Sequence, residues 1–498
     1  MKPNSDNRFS NLYKGDSSLV LIFILSFIYF LFPTNTHLSD SYDYAASVRY
    51  ADKLFSAHHL LYNSFNHLIF VSVKFIYPAV DAMRLMQFVD ASFAVLCLII
   101  LRRILVLCHF DKSKSNVWTL FVACSFGVMR FAVEAETYII PIFISLISSW
   151  YYLKSLQSGK LKYVFYSGLF ASLACLFHQI HLFWGIGLFF GFLMTKKTKN
   201  VLVFLIPTPL VLVVYSLVLV YYNQTAFSFD NLLHFLAQYY FSENATKEAV
   251  GLVSKITVTG ITFVRTFFQV HGTVMEVLRM FKVSYAVIPA VLILLSVTFY
   301  RIVKFFKCIK SDFNHQFELT HLLIFVFQLG FALFSYGNSE FMVMFPFLIA
   351  IFIPAYIAVD TLAVKLLAVA MLIWNMTFAI LPNYYIDFQN NANLIKLIKS
   401  NSDKVFIMKE SYLIVNQYYY EYGEYNCSRI LDNEDKVAIE KFKRGNAVFY
   451  TDVLTKKVAY SRVDFTTNHK YDNLQFFRHV YKINTIMGGF YLDEVIAK

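Results

Sequence analysis

From residue 18 to about residue 382 the chain is a succession of apolar runs, most of them long enough for a helix to cross roughly 30 Å of hydrocarbon. That pattern leaves few folds open, because backbone groups inside a bilayer must satisfy one another, and a segment that does so by itself is a helix. The composition agrees: 58% apolar residues, 18% aromatic residues and a mean hydropathy of +0.53 exceed what a soluble globular chain of 498 residues carries. The expected fold class is an all-α polytopic membrane protein, with spans near 18–32, 84–101, 116–133, 138–153, 163–177, 182–194, 201–221, 284–300, 319–336, 341–358 and 362–381. No small-residue cleavage site follows the first run, so it is expected to remain as an uncleaved first helix.

The distribution of Lys and Arg orients these eleven spans. With a cytoplasmic N-terminus, the inner segments hold Lys2, Arg8 and Lys14; Arg102, Arg103, Lys112 and Lys114; Lys154, Lys160 and Lys162; Lys196, Lys197 and Lys199; and Arg301, Lys304, Lys307 and Lys310. The short outer turns near Glu134, His178 and Asn338 have only Arg130 among them. The positive-inside bias therefore places the C-terminus outside, and the expected location is a bacterial inner membrane. The net charge of +12 is a signature of topology, not of nucleic-acid binding.

Segment 60–77 is nearly apolar enough to pass for a span, but Asn63, Asn66, His67 and Lys74 interrupt it. Counting it as one would put Arg102, Arg103, Lys112 and Lys114 on the wrong side, so it is read as an amphipathic helix lying in the interface. Segment 227–282, with Asp230, His234, Glu243, Lys247, Arg265 and Arg279 among apolar residues, is expected to cap the outer face. After Pro382 short apolar runs alternate with charged stretches, which fits a small extracytoplasmic α/β domain over 388–498 beside a membrane module over 1–387. Of six cysteines only Cys427 falls in that tail, which excludes a disulfide framework there. No CxxC, HExxH, Walker loop or GxGxxG is present, so nucleotide and structural-zinc readings have no support.

Against this background the stretch after the first span stands out: Asp40-Ser41-Tyr42-Asp43-Tyr44 and, further on, His58-His59. Acids and histidines gathered at a membrane surface suit chemistry at the interface. Attack of a hydroxyl on an anomeric carbon needs a base within hydrogen-bond reach, and one carboxylate supplies it. A phosphate leaving group departs already ionised, so no second carboxylate is needed as acid, unlike hydrolysis of an ordinary glycosidic bond. A cation must meet the phosphate, and Arg84 and Arg130, at the outer ends of the second and third spans, are the candidates. Asp43, three residues after Asp40, shares a face with it on a helix. A solvated surface charge or a helix cap is the competing account of both acids. A divalent metal held by these acids with His58 or His59 is possible, although oxygen and nitrogen ligands without fixed spacing define no site. Asp90 lies well inside a span and is expected to face a partner in the bundle.

The order of these motifs resembles the GT-C superfamily of polyprenyl-phosphate-sugar glycosyltransferases, and within it the protein O-mannosyltransferase-like branch. Ser39-Asp40-Ser41-Tyr42-Asp43 stands where that branch has Gly-Asp-Ser-Gly-Glu, and Ala57-His58-His59-Leu60 where it has His-Pro-Pro-Gly; the glycines and the Pro-Pro are replaced here. Ala82-Met83-Arg84 opens the second span, Ala135-Glu136-Thr137-Tyr138 is similar to Ala-Glu-Val-Tyr, and 168–179, ending Phe177-His178-Gln179, is similar to a small-residue span ending in His-Gln. The likeness covers residues 18 to about 200. Motif and chemistry together give the expected site: Asp40, with Asp43, as base or acceptor-orienting group; Arg84 and Arg130 on the donor phosphate; His58, His59, Glu136, Tyr138, His178 and Gln179 as substrate contacts; and Glu340, before the tenth span, as a further candidate of the same kind. The implied partners are a polyprenyl-phosphate sugar and an acceptor of undefined class: protein hydroxyl, lipid or glycan. A transporter or flippase of lipid-linked glycans, or a non-catalytic envelope scaffold, is the alternative; only 16 Gly and 10 Pro weigh against a carrier built on broken helices.

Overall fold

In a computed structural model of the chain, residues 17–108, 110–241, 251–270, 272–308, 315–425, 429–432, 448–452, 474–485 and 488–497 are described. Every one of the eleven apolar runs lies on helix. The chain begins with α1 (Ser17–Leu31), α2 (Ser39–Tyr50), α3 (Tyr62–Ile76) and α4 (Ala82–Leu107). The third run is broken into α5 (Lys112–Cys124) and α6 (Phe126–Ala132). Then come α7 (Ile139–Ser158), α8 (Leu161–Phe177), α9 (Leu182–Met194), α10 (Thr198–Leu205) and α11 (Pro209–Leu217), the last two part of one stretch that reaches Tyr222. After α12 (Phe229–Phe241), α13 (Leu252–Arg265) and α14 (Thr273–Met280) come α15 (Val287–Phe305), α16 (Gln316–Phe334), α17 (Phe345–Tyr356) and α18 (Thr361–Asn375). Among the described residues six helical stretches are long and apolar enough to cross a membrane.

The break at Ser125 shows how irregular backbone survives inside the bundle. Phe126 and Gly127 donate their N–H groups to the carbonyls of Phe267 and Thr266, and the Asn375 amide caps the carbonyls of Cys124 and Phe267. The freed backbone groups thus find protein partners where lipid offers none. Elsewhere small residues bring helices close: a Cβ on Gly168 of α8 would lie 2.1 Å from the Phe204 carbonyl oxygen of α10, and Ser148 of α7 donates to the Ser167 carbonyl of α8 at 2.7 Å.

The eleven helical runs alternate in direction, so segments 32–81, 133–138, 178–181, 223–241, 251–270, 272–286 and 335–344 gather at one end. Cross-links between them are explicit: Thr34 N–H to the Val133 carbonyl, Asn35 N–H to that of Asn383, and Leu61 N–H to that of Leu176. Arg102, Lys114, Lys154, Lys197 and Arg301 lie toward the other end. The 60–77 segment is the helix α3. It buries Tyr62, Asn63, Asn66 and Phe70 and exposes Leu68, Val71, Phe75 and Ile76, as an interfacial helix does. Lys2, Arg8, Lys14, Glu243, Lys247, Lys310 and Cys427 lie outside the described residues.

Beyond the bundle come α19 (Leu381–Tyr385), α20 (Ala392–Ser400) and α21 (Ser411–Tyr422). Two short strands, β1 (Lys307–Cys308) and β2 (Ile357–Ala358), pair at the basic end. The C-terminal sheet is formed by β3 (Val405–Met408), β4 (Ile430–Asp432), β5 (Val448–Thr451), β6 (Leu474–Thr485) and β7 (Gly488–Ala497), in the order β4-β3-β5-β7-β6. It is parallel around β3 and antiparallel from β5 onward. Leu394, Ile398, Phe406, Ile414 and Tyr418 close its core against α20 and α21. The chain is an all-α polytopic bundle with a small C-terminal α/β unit.

Candidate functional site

The segment from Thr34 to Ser41 organises the gathered end. Arg84 donates to the Thr34 carbonyl at 3.2 Å, to Gln87 at 3.0 Å and to the Asn35 side chain. Arg130 donates to the Thr36 carbonyl at 3.3 Å and pairs with Glu134 at 2.6 Å. His37 Nδ1 lies 2.9 Å from Glu134 Oε1, and Ser41 donates to Glu136 Oε1 at 3.1 Å. The turn 133–138 thus grips successive residues of the strap.

That turn is no solvated loop. Glu134 is 0% exposed and Glu136 1%. Burial alone pushes the Glu134 carboxyl up, but Arg130 and His37 outweigh it and hold the group below its ordinary value. Glu136 lacks such a cation: burial first, then the charges of Glu340, Asp40 and Glu134, raise it well above the ordinary carboxylate range. The Tyr138 hydroxyl donates to Glu340 Oε2 at 2.9 Å, which adds a fourth acid to the group. Asp90, fully buried in α4, accepts from the Tyr62 hydroxyl at 2.9 Å and from the Glu136 N–H at 3.2 Å, so the intramembrane acid anchors the turn from below.

The histidines close the other side. The rings of His58 and His59 are 4.2 Å apart, His59 meets Tyr44 at 4.7 Å, and His178 meets Tyr138 at 5.0 Å and His58 at 6.3 Å. Burial lowers His58 to about 4. Burial, then the neighbouring imidazoles, drives His59 and His178 well below the usual histidine range. At neutral pH these rings are uncharged donors and acceptors, not counter-ions.

Asp40, His58, His59, Glu136, Tyr138, His178 and Glu340 thus meet in one neighbourhood. Asp43 points along α2 toward Lys53, 3.6 Å away; burial raises its carboxyl while Lys53 pulls it down. Gln179 turns outward, donating to the Tyr215 hydroxyl at 3.0 Å and to the Leu236 carbonyl at 2.9 Å, and so ties the His178 turn to α12. Arg130 is expected to meet a donor phosphate, but it pairs with the buried Glu134, four residues on and just past the end of α6. Arg84 bonds the start of the Thr34–Ser41 strap, and Asp40 stands near its end, no more than about 20 Å of extended chain away. Among the described residues no group of three His, Cys, Asp or Glu side chains is arranged to hold a metal ion. A cavity of about 530 Å³ between Asn223, Asn231, His234 and Phe235 lies beside α12 and is lined by none of the acids.

Sequence reasoning misses the aromatic residues of the C-terminal helix. Tyr412 of α21 faces Asp40 and Asp43, and Asn416 donates to the carbonyl and hydroxyl of Ser39 at 3.2 and 3.3 Å. No local signal in 411–422 points to residues some 370 positions earlier.

No family profile matches the chain, and no curated protein does. Among solved structures it is similar to the oligosaccharyltransferase AglB from Archaeoglobus fulgidus in complex with an inhibitory peptide and a dolichol-phosphate, at 11% identity and a TM-score of 0.48, over 88% of this chain and 70% of that one. It is also similar to ArnT from Cupriavidus metallidurans bound to undecaprenyl phosphate, at 10% identity and a TM-score of 0.41, over 96% and 98%. A further A. fulgidus oligosaccharyltransferase structure, in complex with Zn and sulfate, is 13% identical with a TM-score of 0.44; the likeness covers 81% of this chain, which spans 61% of that one's length.

Proposed function

We propose that the chain is an integral membrane glycosyltransferase that moves a sugar from a polyprenyl-phosphate donor to an acceptor hydroxyl on the extracytoplasmic side, with Asp40 as the base. The observation that carries this reading is the meeting of Asp40 with the buried Glu136, the Tyr138–Glu340 pair and the rings of His58, His59 and His178 at one end of the bundle. Asp40 takes the proton of the acceptor hydroxyl as its oxygen bonds the anomeric carbon; the bond from that carbon to the phosphate oxygen breaks, and polyprenyl phosphate leaves with the electron pair. Attack opposite the leaving group inverts the anomeric centre. Glu136, Glu340 and the imidazoles are hydrogen-bonding partners for sugar hydroxyls that bring no competing positive charge. Arg84, exposed at the mouth of α4, is the cation available to the lipid phosphate. Asp43, paired with Lys53, has a supporting place in this scheme.

The finer assignment to the protein O-mannosyltransferase-like branch rests on the order of the motifs around Asp40, His58, Glu136 and His178. A carrier of lipid-linked glycans would place its polar groups near mid-membrane. Asp90, the acid deepest in α4, is instead held by Tyr62 and the Glu136 backbone. Asp40→Asn, in protein reconstituted with the native lipid-linked sugar fraction of the source cells, is expected to lower transfer at least a hundredfold, the scale of a general-base contribution. Full retained transfer removes Asp40 from the mechanism, and lipid extracts of the purified protein that lack any polyprenyl-phosphate species favour the carrier.

A further inference from the structure

We infer that α21 is a positioning element for the site: Asn416 and Tyr420, one turn apart, hold the first turn of α2 and the N-cap of α4 in fixed relation, and so set where Asp40 stands relative to Arg84. The inference rests on the role proposed above for Asp40. Residues four apart on a helix share a face, so one stripe of α21 reaches both elements. At one point of the stripe Asn416, 0% exposed, donates to the backbone carbonyl and side chain of Ser39, the residue before Asp40. That contact ties the start of α2, which has no side-chain cap at Leu38, to α21. At the next point the Tyr420 hydroxyl donates to Asp81 Oδ2. The other oxygen of the same carboxylate accepts the Arg84 N–H at 3.0 Å, which makes Asp81 the N-cap of the helix that carries Arg84.

The remaining contacts run the length of α2. Tyr50 donates to the Tyr420 carbonyl at 3.0 Å, the Arg49 guanidinium lies 5.3 Å over the Tyr420 ring, and the Tyr419 hydroxyl donates to Asp52 at 2.9 Å, just past the end of the helix. Tyr42 packs on Tyr420 at 5.9 Å from within α2. The acid-bearing helix is therefore clamped at its start, at its face and at its end by a single helix of the C-terminal region. Since α2 is only twelve residues long and carries polar residues along it, its own propensity would not hold it in place.

Tyr420→Phe tests this with little risk to folding, because the ring that meets Arg49 and Tyr42 is kept and only the hydroxyl on Asp81 is lost. Asn416→Ala tests the other end. In the full-length protein in nanodiscs, hydrogen exchange followed by mass spectrometry is expected to quicken about tenfold at the first turn of α4 in Tyr420→Phe and at residues 39–44 in Asn416→Ala, with other helices unchanged. Turnover with the native lipid-linked sugar fraction is expected to fall about tenfold at saturating donor, while the donor KM moves less than twofold, since positioning of reacting groups rather than donor binding is lost. Glu424→Gln, which removes an exposed pair with Lys399, serves as the control that changes neither. Unchanged exchange in Tyr420→Phe overturns the inference, as does quickened exchange with undiminished turnover. Quickened exchange in an assay where Asp40→Asn also transfers normally removes Asp40 from the mechanism and leaves the clamp standing, whereas no transfer by any form of the protein sinks the enzyme reading.

Discussion

Glu134 is the residue on which the strap depends, because its two carboxylate oxygens face Arg130 and His37 with no exposure to solvent. Removing one partner of such a pair leaves the other charge buried and costs about 3–5 kcal/mol. Glu134→Gln is expected to lower the apparent melting temperature in detergent, and Arg130→Met combined with it to recover most of the loss; a double-variant loss equal to the sum of the two single losses would show the pair to be uncoupled. The histidines add a pH dependence of the same sign as Glu134. His58 is held near 4 against an ordinary 6.5, so the stability of its uncharged packing is complete above about pH 6.5 and is lost as pH falls toward 4. That difference corresponds to roughly 3 kcal/mol. A melting temperature that falls over this window, and a flatter profile in His58→Gln, are the expected readings. A wild-type profile level from pH 7 to pH 4 would contradict them.

Among the elements, the turn that carries Glu340 is the most tightly specified. Gly337 adopts a positive φ of 67°, and a Cβ there would lie 2.8 Å from the Thr259 backbone nitrogen of α13. Both the conformation and the space require glycine. Gly337→Ala is expected to cost about 1–3 kcal/mol and to shift Glu340 off Tyr138, which a lowered melting temperature and slowed transfer would register. Unchanged values for both would mean that α13 yields without consequence. The helices themselves are legible from apolar periodicity and length, and so is the interfacial α3, because alternating buried and exposed positions follow from one helix lying at a surface. What local pattern omits is the break at Ser125: nothing near it announces that Phe267 and Asn375 supply the missing backbone partners.

For the whole molecule, the alternation of eleven helical runs brings the acid and histidine segments to one end and leaves the Lys- and Arg-rich turns at the other. The positive-inside rule predicts a cytoplasmic basic end; on that prediction single cysteines at Ser158 and Asn338, in a background without native cysteines, are expected to react with an impermeant thiol reagent from opposite faces of sealed cells, only Asn338→Cys from outside, and labelling of both from one face would refute that orientation. The apolar runs and their spacing decide by themselves that the chain is a helical bundle in a bilayer, since hydrocarbon accepts no other self-satisfied segment of that length. They also mark Asp40, His58, Glu136 and His178, because polar residues beside such runs have a cost that calls for a reason. The partners are another matter. That Arg130 spends its charge on Glu134, that Arg84 binds the strap, and that Asn416 and Tyr420 reach back across some 370 and 340 residues are decided only when distant segments pack, because charge neutralisation and hydrogen bonding depend on distance in space, which one-dimensional spacing does not contain.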